Sequence, residues 1–225
     1  GHISNSISTK EDKLMKSNLI KDWRNGMQHN IPISGSFTIL KYLNVTPAIN
    51  FTDRMYTNKI QRSWNETTQR EERDTIYGFY NVYNWNSSIS MNTKLYGMFI
   101  PNRKLFGEKI IAIRHTISPS VSFTYAPDFG ASRYGYYTTY VKRDAKGNES
   151  TVEYSPYSSS LFGVPGRGKT GSINFSVDNN IEMKIRSDKD TSGVKKISII
   201  DQLGASMSYN MAAETRPWSD LSTNI

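Results

Sequence analysis

With 225 residues and no cysteine, the chain holds no disulfide framework, no thiolate nucleophile and no cysteine-based metal site. Its hydrophobic share of 36% and mean hydropathy of −0.58 are low for a thick aliphatic core, and no apolar run is long enough for a membrane-spanning helix. A formal charge of +8 suits anionic surroundings, yet the lysines and arginines are scattered without a basic helix or recognised motif, so no nucleic acid partner is expected.

The chain opens on a polar stretch, 1–10, that carries no signal peptide. Residues 1–9 read as the tail of a strand and 13–22 as a short helix. Hairpins then follow in order. Strands 33–40 and 45–56 meet about 41–44, and 76–83 and 87–99 meet about 84–86. Strands 110–115 and 119–125 meet about 116–118. Strands 170–177 and 181–186 meet at Asp178-Asn179-Asn180, a strong turn signal, and 194–200 and 203–211 meet at Asp201-Gln202. Pro47 and Pro119 fall near strand starts, where a missing amide donor costs least.

Between the hairpins lie polar connections at 57–75, 127–169 and 187–193. Short turns therefore alternate with longer loops. In an antiparallel meander this makes one rim short and the other elaborate, as in outer-membrane barrels with short periplasmic turns and long extracellular loops. Both ends look cut, and 221–225 stops where another strand could start. Roughly ten or eleven strands are expected, all β and antiparallel.

The two-residue period is sharpest near the end of the chain. Ile173, Phe175 and Val177 alternate with Asn174, Ser176 and Asp178, and Ile181, Met183 and Ile185 alternate with Glu182, Lys184 and Arg186. Leu203, Ala205, Met207 and Tyr209 repeat the pattern against Gly204, Ser206 and Ser208. Successive strand side chains point to opposite faces, so each segment has one oily and one wet face. In the long strand 87–99 the oily positions are Ile89, Met91, Leu95 and Phe99, opposite Ser88, Ser90, Asn92 and Lys94. A strand of that length suits a tilted crossing of a bilayer. The aromatic share of 12%, with 14 Tyr and 4 Trp, fits a membrane barrel with aromatic girdles and equally a secreted Tyr-rich β-sandwich that binds carbohydrate.

Few motifs carry chemistry. Gly163-Val-Pro-Gly-Arg-Gly168-Lys169-Thr170 satisfies the P-loop pattern, but a phosphate cradle needs a strand before it and a helix after it. An alternating strand follows instead, so the segment reads as a Gly-rich surface loop. Asp188-Lys-Asp190-Thr-Ser192-Gly193 begins like a calcium loop, yet Ile199 stands where the bidentate Glu is needed. His2, His29 and His115 are isolated, and His115 is expected at a rim or in a lumen. Asn50-Phe-Thr and Asn174-Phe-Ser are chance sequons, and Glu71, Glu72 and Asp74 lie among Arg70 and Arg73 in a mixed-charge loop. No nucleophile elbow occurs. Neither an enzyme, a cofactor nor a metal is expected.

Three blocks carry a resemblance: Arg114-His-Thr-Ile-Ser-Pro-Ser-Val-Ser-Phe-Thr-Tyr-Ala-Pro-Asp-Phe129, Asn25-Gly-Met-Gln-His-Asn-Ile-Pro-Ile-Ser34 and Asp201-Gln-Leu-Gly-Ala-Ser-Met-Ser-Tyr-Asn210. With Tyr134-Gly-Tyr-Tyr137 and Trp218-Ser-Asp-Leu-Ser222, they resemble the barrel region of LptD, the lipopolysaccharide-assembly outer-membrane protein, in its Bacteroidetes form. The resemblance spans nearly the whole chain. It implies that 1–225 is a fragment of a transmembrane β-barrel in the outer membrane of a Gram-negative bacterium, delivering lipopolysaccharide or lipooligosaccharide to the outer leaflet. It also implies a plug lipoprotein and periplasmic bridge proteins as partners. On that reading Asn174, Ser176, Glu182, Lys184, Arg186, Ser206 and Ser208 line the lumen or touch the plug. Ile173, Phe175, Val177, Ile181, Met183 and Ile185 face outer-membrane lipid. A porin or nutrient transporter fits the periodicity as well.

Overall fold

In the computed structural model, which describes residues 1–19, 21–144, 146–187 and 193–225, the alternation becomes an antiparallel sheet and a separate hairpin. The strands are β1 (His2–Ser6), β2 (Arg24–Ser34), β3 (Phe37–Ile39), β4 (Leu43–Asn65), β5 (Arg70–Asn92), β6 (Leu95–Phe99) and β7 (Ile110–Ala126). They continue as β8 (Thr138–Arg143), β9 (Glu149–Tyr154), β10 (Thr170–Arg186), β11 (Val194–Asn210) and β12 (Ser222–Asn224). Two single-turn helices, α1 (Glu11–Leu14) and α2 (Arg103–Phe106), interrupt them. The sheet order is β1-β2-β4-β5-β7-β10-β11-β12, with β3 also on β4 and β6 also on β7, while β8 pairs with β9 alone. The helix expected over 13–22 shrinks to α1, which has no side-chain cap at its start.

The strands are longer than the sequence predicts. Turns expected at 84–86, 116–118, 178–180 and 201–202 are strand interior in β5, β7, β10 and β11. The charged stretch 57–75 is also strand, apart from a tight turn at 66–69 in which Asn65 Oδ1 accepts the Thr67 and Thr68 amides (2.9 and 3.0 Å). Asn residues misled the prediction because their amides serve the sheet here. Asn84 accepts from Arg54 (2.6 Å) and Asn86 accepts from Asn50 (3.0 Å), across strands rather than around a turn. The expected strand number was close only because long strands had been cut in two.

Prolines explain where the strands break. Pro47 lies inside β4 and Pro119 inside β7, not at strand starts. A proline offers its neighbour a carbonyl but no amide, so the facing ladder loses a bond. Opposite Pro47 the chain breaks between β2 and β3, and Gly35 N–H donates to Pro47 O (3.1 Å). Opposite Pro119 it breaks between β5 and β6, and Thr93 N–H donates to Pro119 O (3.2 Å). β3 then turns into β4 through Leu40 and Lys41, both at positive φ (51° and 68°), with Tyr42 N–H donating to Ile39 O (3.2 Å). Positive φ at both central residues is the type I′ hairpin geometry.

Connections still alternate, though not where the sequence predicts. Four of the five expected turns are strand interior, 57–75 is mostly strand, and 187–193, expected among the longer connections, falls with the shorter ones. Residues 40–42, 100–109 and 187–193 are short and follow in turn upon 7–23, 66–69 and 127–169, of which only 66–69 is tight. The longest, 127–169, is not plain polar loop. It contains a 3-10 turn at Ser132–Tyr134 and the β8–β9 hairpin.

The chain divides into two compact units. Unit 1 comprises 1–33, 49–86 and 126–169, and unit 2 comprises 34–48, 87–125 and 170–225. Unit 1 has a small aromatic core of Tyr56, Val82, Phe129, Tyr136 and Tyr157, with Tyr80, Trp85, Tyr134, Tyr137 and Phe162 packed around it. Phe129, Tyr136 and Tyr157 come from the long connection, which folds over the hairpin of β4 and β5 and seals its edges. Ile60 N–H donates to Pro156 O (2.9 Å), Arg62 N–H to the Tyr154 hydroxyl (3.0 Å) and Tyr83 N–H to the Tyr136 hydroxyl (2.8 Å). An open strand edge is a template for unwanted pairing, and these contacts close it.

Candidate functional site

Unit 2 sorts its side chains onto two faces, and the register shows how. In an antiparallel ladder, residues directly opposite share a face. Ile89, Met91, Leu95 and Phe99 stand opposite Phe123, Val121, Ile117 and Ile113. Ile173, Phe175, Val177, Ile181 and Met183 stand opposite Tyr209, Met207, Ala205, Ile200 and Ile197. Ile185 faces Lys195, where the apolar run ends. Trp218 extends it at the other end, its ring edge-on to Tyr209 (4.8 Å between centroids) and tilted against Phe175 (6.2 Å).

The other face is polar. Ser88, Ser90 and Asn92 stand opposite Thr124, Ser122 and Ser120. Those residues in turn reach β10: Thr124 to Ser172 (2.9 Å), Asn174 to Ser122 (3.3 Å) and Ser120 to Ser176 (2.7 Å). Across the next pair, Asn174 and Ser176 face Ser208 and Ser206, Glu182 faces Ser198, and Lys184 faces Lys196. Arg114 forms an ion pair with Glu182, and Arg186 pairs with Glu108 (2.9 Å). Tyr96 and Met98, opposite Thr116 and Arg114, and Val194, opposite Arg186, are among the apolar residues on this side.

None of the side chains assigned from the sequence to either face is buried. Phe175, Val177, Asn174, Lys184, Arg186 and Ser206 are exposed, and Ile173, Ile181, Met183, Ile185, Ser176, Glu182 and Ser208 are half-buried. A sandwich would hide one of its faces in a core. Here both faces are open, and a shallow cavity of about 110 Å³ on unit 2 gathers Arg114, Lys184 and Lys196 around Glu182. Three cations to one carboxylate make this patch positive. Sequence reasoning missed Arg114 and Lys196, because their neighbours across strands follow only from the register.

A bulge keeps the faces sorted. Between Asn179 and Glu182 of β10, β11 spends residues 203 to 198, so it carries extra residues and shifts register. The shift puts Ile200 and Ile197 opposite Ile181 and Met183. Carbonyls freed by the bulge are taken by side chains: Asn179 Nδ2 donates to Leu203 O (3.2 Å), and Asn180 Nδ2 to Ile200 O and Asp201 O (3.2 and 2.9 Å). His115 meets Asn179 Oδ1 at 3.1 Å. Its place is structural support for the bulge, on the apolar face.

The remaining sequence motifs have structural roles. Thr170 opens β10, so no helix follows Lys169. The Gly168 amide, at φ +85°, donates to Asp128 Oδ1 (2.7 Å), as does the Gly130 amide (2.7 Å). An internal carboxylate thus occupies one amide of the loop, that of Gly168, and the bonds from Gly168 and Gly130 hold its pKa below the usual carboxylate range. Glu71 lies in β5 between Arg73 and Arg62, with the Tyr140 hydroxyl donating to it (2.8 Å), in a charge network rather than a catalytic pair. His29 lies 3.8 Å from Asp53. The calcium-like segment 188–192 lies outside the described residues. Among the described residues no group of three or more His, Asp or Glu is placed to hold a metal.

No curated protein and no solved structure matches the chain. The family model described as LptD protein matches residues 1–225, so the chain belongs to the LptD family of outer-membrane β-barrel proteins, whose role is in lipopolysaccharide transport and assembly and is not enzymatic.

Proposed function

We propose that residues 1–225 form part of the barrel wall through which lipopolysaccharide or lipooligosaccharide reaches the outer leaflet of the outer membrane. The apolar face, with Ile173, Phe175, Val177, Ile181, Met183 and Ile185, lies against lipid. The polar face, with Asn174, Ser176, Glu182, Lys184, Arg186, Ser206 and Ser208, lines the lumen. There it meets the sugar and phosphate head of the glycolipid or a plug lipoprotein. The connections 40–42, 100–109 and 187–193 are periplasmic, within reach of bridge proteins that hand lipid over, and the set that includes the long connection 127–169 is extracellular.

One observation carries this reading: two open faces of opposite character run across the paired strands of unit 2, with the cationic patch of Arg114, Lys184 and Lys196 on the polar one. A polar, positive wall favours a phosphorylated head, while acyl chains are kept out of it by desolvation. The test replaces Lys184 and Lys196 together by Glu in the whole natural protein, expressed in cells depleted of their own copy. Surface lipopolysaccharide, labelled on intact cells, should fall while the barrel still folds. Normal surface labelling would contradict the reading.

A further inference from the structure

A second cavity, of about 370 Å³, lies within unit 1. β4 brings Lys59, Gln61 and Arg62 to it, and the long connection supplies Tyr137, Thr139 and Tyr154. The connection is fastened to β4 through two β4 amides: Ile60 N–H donates to Pro156 O and Arg62 N–H to the Tyr154 hydroxyl. Small-ligand pockets span about 300–1,000 Å³, so the size is adequate for one. Most such pockets are apolar, whereas this lining is polar and aromatic. It suits a hydrophilic ligand rather than an acyl chain.

Its charge is positive. Lys59 and Arg62 line it, and no carboxylate does among the described residues. The Arg62 guanidinium lies over the Tyr154 ring (5.3 Å), its Nη2 reaches Ser158 Oγ at 3.4 Å, and its Nη1 stands 3.6 Å from Glu71. Glu71 is shared with Arg73 and Tyr140, and the buried Arg62 Nε has no hydrogen-bond partner among the described residues. The protein therefore leaves this guanidinium short of acceptors. The Lys59 ammonium sits over the Tyr80 ring (4.9 Å), a contact that holds the charge without neutralising it.

We propose that this cavity binds a phosphorylated sugar. Lys59 and Arg62 hold the phosphate through charge-assisted hydrogen bonds. Gln61 and Thr139 supply amide and hydroxyl groups for the sugar hydroxyls, and the tyrosine rings cover its C–H face. That the sugar belongs to the head of a transported glycolipid rests on the function proposed above, whereas the binding itself does not.

Isothermal titration calorimetry on the whole natural protein in detergent tests the site, with glucosamine 1-phosphate, glucosamine and inorganic phosphate as probes. The proposal expects the phosphosugar to bind about tenfold or more tightly than either part, and Lys59→Gln and Arg62→Gln each to weaken it by about tenfold. Arg62 also touches Glu71 and Ser158, so Lys59→Gln carries the test if Arg62→Gln does not fold. Unchanged affinity in a folded variant, or phosphate alone binding as tightly as the phosphosugar, overturns the proposal. In a second arm, lipopolysaccharide in nanodiscs should displace glucosamine 1-phosphate. Failure to displace it overturns the glycolipid source and assigns the site to a free phosphosugar. Surface labelling of the Lys184/Lys196 variant reads the proposed function independently of either result.

Discussion

The amide of Gly168 donates to Asp128 Oδ1 across the long connection, at 2.7 Å, and the Gly130 amide donates to the same oxygen. Both bonds favour the ionised carboxylate, so its folded pKa is depressed. A depressed pKa contributes stability that is complete above the unfolded carboxylate value and is lost as pH falls through the folded one. Hydrogen exchange should therefore show the Gly168 and Gly130 amides protected at neutral pH and losing protection in acid, below the ordinary carboxylate range. Asp128→Asn should expose both amides at neutral pH and flatten that acid dependence. Equal protection in the variant would show that the carboxylate does not order this segment.

Asn180 is predicted to be the side chain that the bulge depends on most. Its amide serves Ile200 O and Asp201 O together, and removing it leaves both carbonyls without that donor. Asn180→Ala should cost about 1–3 kcal/mol by equilibrium unfolding in detergent, whereas Asn174→Ala, on a plain stretch of the same strand, should cost less than about 1 kcal/mol. Equal costs would mean that the bulge is held by backbone alone.

Tyr136 seals the β5 edge with one hydroxyl. That hydroxyl accepts the Tyr83 amide (2.8 Å) and donates to the Tyr83 carbonyl (2.9 Å), while burial pushes its pKa up to about 12. The phenol thus stays protonated, and able to donate, well into alkali. Tyr136→Phe keeps the ring in the aromatic core but leaves both backbone groups unpaired, at a cost of about 1–3 kcal/mol. Protease cutting within 127–169 should rise in this variant. Unchanged cutting would mean that the aromatic packing alone fastens the connection.

Much of the fold was legible because period two is a local property. Ile173 through Ile185 and Leu203 through Tyr209 declared their faces without any knowledge of partners. Strand length was not legible, because Asp178-Asn179-Asn180 has the composition of a turn. Only the bulge opposite shows why those amides belong inside a strand. The prolines misled for a related reason: Pro47 and Pro119 break the neighbouring strand and not their own. The aromatic lining of unit 1 was hidden in a Tyr- and Ser-rich stretch with no periodicity. Its only sequence signal was an excess of tyrosine beyond what a polar loop needs. The positive patch of Arg114, Lys184 and Lys196 required the register to bring distant residues together.

The assignment of the two faces is tested most directly by paired substitutions on neighbouring residues of β10 in the whole natural protein. Met183→Arg puts a charge on the apolar face, where an Arg near the bilayer midplane costs about 2–4 kcal/mol, while Lys184→Ala removes one from the polar face at little cost. Folding should be read as the heat-resistant compact band on a gel, together with the unfolding free energy in lipid. The prediction is a marked loss for Met183→Arg and near-native folding for Lys184→Ala. Equal defects in the two variants would contradict the assignment.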